Sequence, residues 1–337
     1  MKGVLFICLL LGSLYGDTVL KIASYNVENL FDLETNGYEY TEYIPNTDAN
    51  WNTKTYKIKL KNIARVITDI NADIIALQEI ESMQALKDLR FTLKQNGLYY
   101  QYYALADNKN TNIKVALLSK IPFVYSKSLS VSASFSYRDI LETKFNIEGK
   151  ELYIFVNHWK SKSGPESKRI VSAKALLKRI KILGEDKNII LVGDFNSDYQ
   201  ENIKFLRKRE HNDTDGKTGI NHVLKSTKQT QKAVNTNYEE GNFYNLWYDT
   251  EPELRYSYIY KKNKETLDNI LISQSLLQRK QIYYMPNTIH SYKAEYLFKK
   301  EKIFAWKISK KMPRKHKGEG YSDHLPIVAD FRVTPSI

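Results

Sequence analysis

Short apolar runs, most of them closed by a polar or charged residue, recur along this chain, and helical spacing fills several of the intervals between them. Residues 19–25, 73–78, 113–119, 123–131, 139–147, 152–157, 189–193, 267–273 and 327–333 read as strands. Between 56 and 70, Ile58, Ile63, Val66, Ile67 and Ile70 form a stripe of helical period. Helical spacing returns at 82–94 and at 165–183, where Pro165 is a good first-turn residue. No internal repeat, low-complexity tract or Pro/Gly-rich linker divides the chain. Residues 17–337 therefore read as one domain in which helices cover packed sheets. Two stretches stand apart. Residues 210–242 are polar and predict a long excursion from the core, and residues 307–320 form a basic loop with Lys310, Lys311, Arg314, Lys315, His316 and Lys317.

Residues 1–16 follow a different logic. Lys2 precedes an apolar stretch through Leu11, and small residues follow up to Gly16. One charge, a short apolar run and small residues predict a secretory signal peptide, too short to span a bilayer. A buried N-terminal strand or helix is the alternative. The chain's one cysteine, Cys8, lies inside this segment, so the processed protein would hold neither a disulfide nor a zinc–thiolate site. An exported protein, periplasmic or secreted, is expected. No later segment is long and apolar enough to be transmembrane. With 51 Lys+Arg against 38 Asp+Glu the net charge is +13, which favours polyanionic partners. A compositional bias toward Lys, Asn, Ile and Tyr explains part of that excess.

Five separated strand ends carry groups suited to ligation or proton transfer. Glu79 closes one apolar run, His158 follows another, and Asp194 and Asn196 follow a third. Asp268 opens a strand, and Ser322-Asp323-His324 precedes the last one. Alone, each has an ordinary structural explanation: a cap, a turn or a satisfied histidine. Together they suit a hard divalent cation and a water attacking a phosphate ester.

The motifs Ser24-Tyr25-Asn26-Val27-Glu28-Asn29, Leu77-Gln78-Glu79, Asn157-His158, Gly193-Asp194-Phe195-Asn196, Leu267-Asp268-Asn269-Ile270 and Ser322-Asp323-His324 occur here in that order. In this the chain resembles the endonuclease/exonuclease/phosphatase superfamily, most of all its secreted bacterial nucleases and deoxyribonuclease I relatives. The resemblance runs from about Ile22 to Phe331. It implies a four-layered α/β sandwich, two packed and mainly antiparallel sheets flanked by helices. It implies Glu79 as main metal ligand with Asn26 and Asp323 nearby, Mg²⁺ or Mn²⁺ as the ion, and Ca²⁺ as a candidate structural ion. His324 matches the catalytic histidine, and Asp268 the acid that orients it. Asp194 and Asn196 would position the attacking water and a phosphate oxygen.

His158 matches a second histidine, a candidate acid for the leaving 3′ oxygen. Its carboxylate partner should fall in the loop before Ile113, where Asp107 is the acid on offer, a departure from the family pattern. Arg138 matches a phosphate-contacting arginine. Lys311, Arg314 and Lys315, near the histidine in sequence, are expected to meet substrate phosphates.

These readings converge on a secreted, metal-dependent phosphodiesterase. The expected activity is that of a nuclease on DNA, with RNA as a second substrate, and little sequence preference. A monomer without stable membrane insertion is expected. A sphingomyelinase-type phospholipase C or another phosphoesterase of the superfamily is the alternative. Residues 243–248, Phe-Tyr-Asn-Leu-Trp-Tyr, are the nearest candidate for a lipid-contacting hairpin, but their spacing favours a core or rim strand. A catalytically silent binding module, or a toxin, is the reading from another class. Silence is disfavoured because Glu79, Asp194, Asn196, Asp268, Asp323 and His324 are all present.

Overall fold

In the strands of this chain consecutive apolar residues, not alternating ones, predominate, because both faces of each sheet are covered. The structure, a computed structural model, describes residues 18–109, 111–184, 186–204, 211–226 and 242–335. The signal segment expected at 1–16 lies outside them. The first sheet contains β1 (Thr18–Leu30), β2 (Ile74–Ile80), β3 (Tyr102–Leu105) and β4 (Lys114–Ser119). The second contains β5 (Phe123–Leu129), β6 (Ile140–Ile147), β7 (Lys150–His158), β8 (Ile189–Asp194) and β9 (Tyr244–Asn245). A hairpin of β10 (Tyr258–Tyr260) and β11 (Asn263–Glu265) precedes β12 (Asp268–Ile272), which joins the second sheet. Then β13 (Ile282–Tyr284) and β14 (His290–Ser291), a small hairpin of β15 (Phe298–Lys299) and β16 (Lys302–Ile303), and β17 (Ile327–Val333) complete the chain, with β13, β14 and β17 in the first sheet.

The first sheet runs β13-β17-β1-β2-β4-β3 and the second β5-β6-β7-β8-β12-β9. Each is antiparallel except for one parallel pair, β1 with β2 and β7 with β8. Their period-2 faces separate cleanly. Leu20, Ile22, Ile74 and Ala76 of the first sheet meet Ile154, Val156, Ile190 and Val192 of the second in the central core. Tyr25, Ile75 and Leu77 face the other way, against α1 (Thr53–Ile70) and α2 (Met83–Gln95). Tyr153, Phe155 and Leu191 face α3 (Glu166–Leu183) through Ala173 and Leu176. The order helix, sheet, sheet, helix is the expected four-layered sandwich.

Local signals explain the helix ends. Asn52 accepts from the Lys54 and Thr55 amides while the Thr55 hydroxyl accepts from the Asn52 amide, a reciprocal capping box. Ser82 caps α2 by accepting from the Ala85 amide. Pro165 sits just outside α3 as its N-cap, with φ −67°, instead of in the first turn as expected.

One further expectation changes, and the 243–248 run takes the core position its spacing favoured. The polar stretch predicted to leave the core does not do so over residues 211–226: Ile220 and Leu224 are fully buried against α3. Residues 227–241 lie outside the described ones. The aromatic run at 243–248 is core, with Phe243, Tyr244, Leu246 and Trp247 buried. No helix among the described residues is long and apolar enough to cross a membrane.

Candidate active site

The two sheets bring their functional strand ends to one edge of the sandwich. In the second sheet the register places His158, Asp194 and Asp268 side by side across β7, β8 and β12. In the first, Asn26 near the end of β1 stands opposite Gln78. The pairing of β2 then slips between Gln78 and Ile80, so that Glu79 is a bulge residue with φ 69°. Bulges re-aim side chains at strand ends. Glu28, Asn29 and Asn196 also hold positive φ, between 47° and 60°. Left-handed backbone at non-glycine residues costs about 1–3 kcal/mol each and persists where surrounding structure enforces it.

Asn26 ties the sheets together. Its amide donates to Glu79 Oε1 and to Asp194 Oδ2, both at 3.1 Å, and its oxygen accepts from the Glu28 amide at 3.0 Å. Glu79 Oε2 accepts from the Asn29 amide at 2.9 Å. Asp194 Oδ1 accepts from the Asn196 amide at 2.8 Å, and the Asn196 side chain donates to the Trp159 carbonyl at 3.2 Å. The loop before β17 is pinned by Ser322, whose hydroxyl donates to the Asn26 carbonyl at 2.7 Å and accepts from the His324 amide at 3.1 Å. Asp323 and His324 are thereby delivered to Glu79 and Asp194. Gly193 is required where β8 meets β7: a Cβ there would lie 2.1 Å from the Asn157 carbonyl oxygen, at φ 131°.

His324 and Asp268 form the expected dyad, Nδ1 to Oδ2 at 2.7 Å, with Asp268 fully buried and also accepting from Ser257 Oγ at 2.6 Å. The other ring nitrogen lies 3.9 Å from Asp194 Oδ2 and 4.0 Å from Asp323 Oδ1. Burial opposes charge on the imidazole, yet the carboxylates of Asp268, Asp323 and Asp194 outweigh it and hold the pKa well above its ordinary value. The ring of Tyr258 lies against it, centroids 4.8 Å apart.

His158 is set up differently from the acid expected of it. Arg138 Nη2 lies 2.9 Å from its Nε2, and a guanidinium can only donate. The imidazole is therefore a neutral acceptor with its proton on Nδ1, which is buried and has no hydrogen-bond partner among the described residues. Burial, then the Arg138 charge, pushes its pKa well below the usual histidine range. Asp107 does not serve it. That carboxylate pairs with Lys114 at 3.3 Å. His158 instead orients Arg138, which also donates to the Trp159 carbonyl at 3.3 Å.

The acid cluster carries more negative charge than its surroundings neutralise. Burial raises the carboxyl pKa of Glu79 and of Glu28, and in both the charge of Asp323 adds to it. Burial also raises Asp194, against the pull of His324. Carboxylates that resist ionisation because they are buried, and then because they neighbour one another, are an oxygen-rich set that a hard divalent cation relieves, so the residues fit such an ion. Each Glu79 oxygen accepts one hydrogen bond and keeps a free lone pair, and Asp323 is half exposed to the cavity. Among the described residues, Asp194, Asp268 and His324 also bring ligand atoms within 4.8 Å of one another, although Asp268 and His324 are engaged with each other.

A cavity of about 1090 Å³ opens over these groups, lined by Glu79, Arg138, His158, Asp194, Asn196, Asp323 and His324 among others. Lys311, Arg314 and Lys315 are not brought to it. They are exposed, and Arg314 pairs with Glu42 at 2.5 Å, while the neighbouring His316 is buried and hydrogen-bonded to Trp306 at 2.8 Å. The lysines lining the cavity are Lys160 and Lys162. Sequence reasoning missed both, along with Tyr258 and with Lys59, whose buried ammonium donates to the Glu28 and Tyr321 carbonyls at 2.7 and 3.1 Å and ties β1 to the Asp323 loop. The run Trp159-Lys160-Ser161-Lys162-Ser163 directly after His158 was the signal available for the first two.

A model described as Endonuclease/Exonuclease/phosphatase family matches residues 21–224 and 216–332. No curated protein matches the chain. Among solved structures, an endonuclease/exonuclease/phosphatase family protein from Bacteroides thetaiotaomicron superposes with TM-score 0.57 at 15% identity, covering 95% of this chain and 99% of that one. Humanized D. rerio TDP2 gives TM-score 0.56 at 15% identity, covering 93% and 98%. D. rerio TDP2 complexed with single strand DNA product gives 0.54 at 13% identity, covering 94% and 99%. At these identities the likeness is one of fold.

Proposed function

We propose, on the premise that the chain belongs to the endonuclease/exonuclease/phosphatase family, that it is a metal-dependent nuclease that hydrolyses phosphodiester bonds of DNA with little sequence preference, RNA being the second substrate. The observation that carries this reading is the join between two half-sites. Asn26 bonds at once to Glu79 and Asp194, and so sets an acid cluster beside the Asp268–His324 dyad at one cavity.

Glu79 and Asp323 would hold the cation, with Asn26 keeping Glu79 and Asp194 in register. Bound there, Mg²⁺ or Mn²⁺ supplies positive charge to the phosphate oxygens. The chain's own groups account for the rest. Arg138, oriented by His158, grips a non-bridging oxygen. His324 enters protonated, its charge balanced by Asp268, and donates from Nε2 to the leaving oxygen as that oxygen's bond to phosphorus breaks. Asp194, raised by burial toward the range of a useful base, takes the proton of the attacking water, and the Asn196 amide fixes the carboxylate that does so. The full set argues against a silent descendant. The burial of the 243–248 aromatic run removes the candidate lipid-contacting hairpin and with it the main support for a sphingomyelinase.

Export rests on residues 1–16, and a DNA substrate is consistent with the net charge of +13 and with the TDP2 neighbour bound to a DNA product. Purified protein supplied with Mg²⁺ or Mn²⁺ should be offered plasmid DNA, RNA and sphingomyelin in parallel. Nicking of plasmid is the expected result. Cleavage of sphingomyelin with DNA left intact would refute the nuclease reading while leaving the metal site standing.

A further inference from the structure

We propose that the Lys160–Ser163 turn beside Arg138 is a second phosphate subsite, which takes a phosphate neighbouring the scissile one and so selects polynucleotide strands over isolated phosphodiesters. The inference rests on the nuclease reading above and deepens it.

The first observation is how the turn is built. Arg169 is fully buried, and its Nη1 donates to the carbonyls of Lys160, Ser161 and Gly164 at 3.3, 3.0 and 3.3 Å. Its Nε donates to Glu166 at 2.6 Å, and Glu166 in turn accepts from the Gly219 amide at 2.8 Å. A buried ion pair is a costly way to gain stability. Here it draws three carbonyl oxygens of one turn inward, away from the cavity that Lys160, Ser161 and Ser163 line. The two serine hydroxyls are 2.6 Å apart, so either can turn a proton toward a ligand.

The second observation is charge. Lys162 is engaged by Glu201 at 2.8 Å and Glu265 at 3.4 Å, but no ion pair holds the Lys160 ammonium among the described residues. The charges that bear on Lys160 are cations, Arg138 and Lys168. Burial, then these like charges, pushes its pKa below the ordinary lysine value, which is the signature of a site that gains by receiving an anion. Arg138 adds an independent mark: its Nε is buried and has no hydrogen-bond partner among the described residues. Its Nη2 is already engaged with His158 and Trp159, so the guanidinium keeps donor capacity elsewhere, and Arg138 lines the same cavity as Lys160.

The third is size. At about 1090 Å³ the cavity exceeds the roughly 300–1,000 Å³ of small-molecule pockets. A cavity of that size, lined by Lys160 as well as by the acid cluster, has room for a strand that carries a second phosphate.

The test compares thymidylyl-thymidine, which has one phosphodiester and no neighbouring phosphate, with a single-stranded oligothymidylate, using wild type, Lys160→Met and Lys160→Arg. Lys160→Met is expected to lower kcat/KM on the oligonucleotide about ten-fold more than on the dinucleotide. It should also flatten the log–log salt dependence by about 0.7, the value of one released counterion on a single strand. Lys160→Arg should restore most of both. Equal losses on the two substrates, or no loss on either, would overturn the subsite. A wild type that cleaves neither, while hydrolysing another phosphodiester, would instead overturn the nuclease reading, and the subsite with it.

Discussion

Replacing Asp268 by asparagine probes the centre of the proposed chemistry while nearly preserving its shape. Asp268 Oδ2 stands 2.7 Å from His324 Nδ1 and 2.6 Å from Ser257 Oγ in a fully buried position. The substitution exchanges a charge-assisted hydrogen bond for a neutral one. Charge-assisted bonds contribute roughly 1.5–3 kcal/mol against roughly 0.5–1.5 kcal/mol for neutral ones, and the difference of about 1–1.5 kcal/mol is about five- to ten-fold in rate. Removing the carboxylate also removes the largest charge that holds His324 protonated against its burial. The imidazole pKa then falls, and the protonated fraction at neutral pH falls with it. The two effects together predict a loss of about 10²–10³-fold in kcat. The assay is oligonucleotide hydrolysis at saturating metal across pH. The sign is fixed by the structure: the limb on which activity is lost as His324 deprotonates should move to lower pH in the variant. A loss below about two-fold, or an unmoved limb, would refute the dyad's role.

Three further outcomes follow from the same geometry. Gly193→Ala would place a methyl 2.1 Å from the Asn157 carbonyl oxygen and strain φ 131°, forcing β7 from β8 beneath His158 and Asp194. It should cost about 3 kcal/mol or more, and a melting temperature within about one degree of wild type would contradict this. Glu142 is buried and accepts two hydrogen bonds from Arg179, at 2.7 and 2.8 Å, and one from Tyr125 at 2.7 Å; although burial alone would raise its pKa, these partners lower it. Its stabilisation is therefore present above the unfolded carboxylate value of about 4.3 and lost as pH falls through the lower folded value. Glu142→Gln should melt lower than wild type at neutral pH, with the gap closing in acid, and a gap independent of pH would sink the assignment. Mg²⁺ at about 100 times its dissociation constant should stabilise the protein by roughly 2.7 kcal/mol, and Glu79→Ala should abolish the shift in denaturant midpoint.

Much of the architecture was legible because burial on both faces leaves a strong mark. Runs such as Ile74-Ile75-Ala76-Leu77 have no surface on which to place a polar residue, and they stand out from the helical stripe of α1. Short strands left no such mark. β9, β14, β15 and β16 are two residues each, held by tertiary context and not by pattern. The acids and His324 were legible as strand-end groups, since a rigid sheet edge positions whatever side chain ends the run. Their connections were not. That Asn26 would bond across both sheets, or that Glu79 would sit on a left-handed bulge, depends on packing between segments distant in sequence.

The basic loop at 307–320 misled for the same reason. Proximity to His324 in sequence did not become proximity to the cavity, because His316 turns inward among Tyr43, Trp51 and Trp306 and carries its neighbours with it. The cations that line the cavity follow His158 instead, held there by Arg169 from below.

The central claim is that one cation held by Glu79 and Asp323 works with the Asp268–His324 pair to cleave a phosphodiester. The most direct measurement is the rate of DNA hydrolysis as Mg²⁺ is titrated into metal-stripped wild type and Glu79→Ala. A wild-type rate that rises from background and saturates with Mg²⁺, beside a variant that stays at background or needs far more metal, is the predicted result. Equal rates with and without metal, or a Glu79→Ala titration that overlays wild type, would contradict the account.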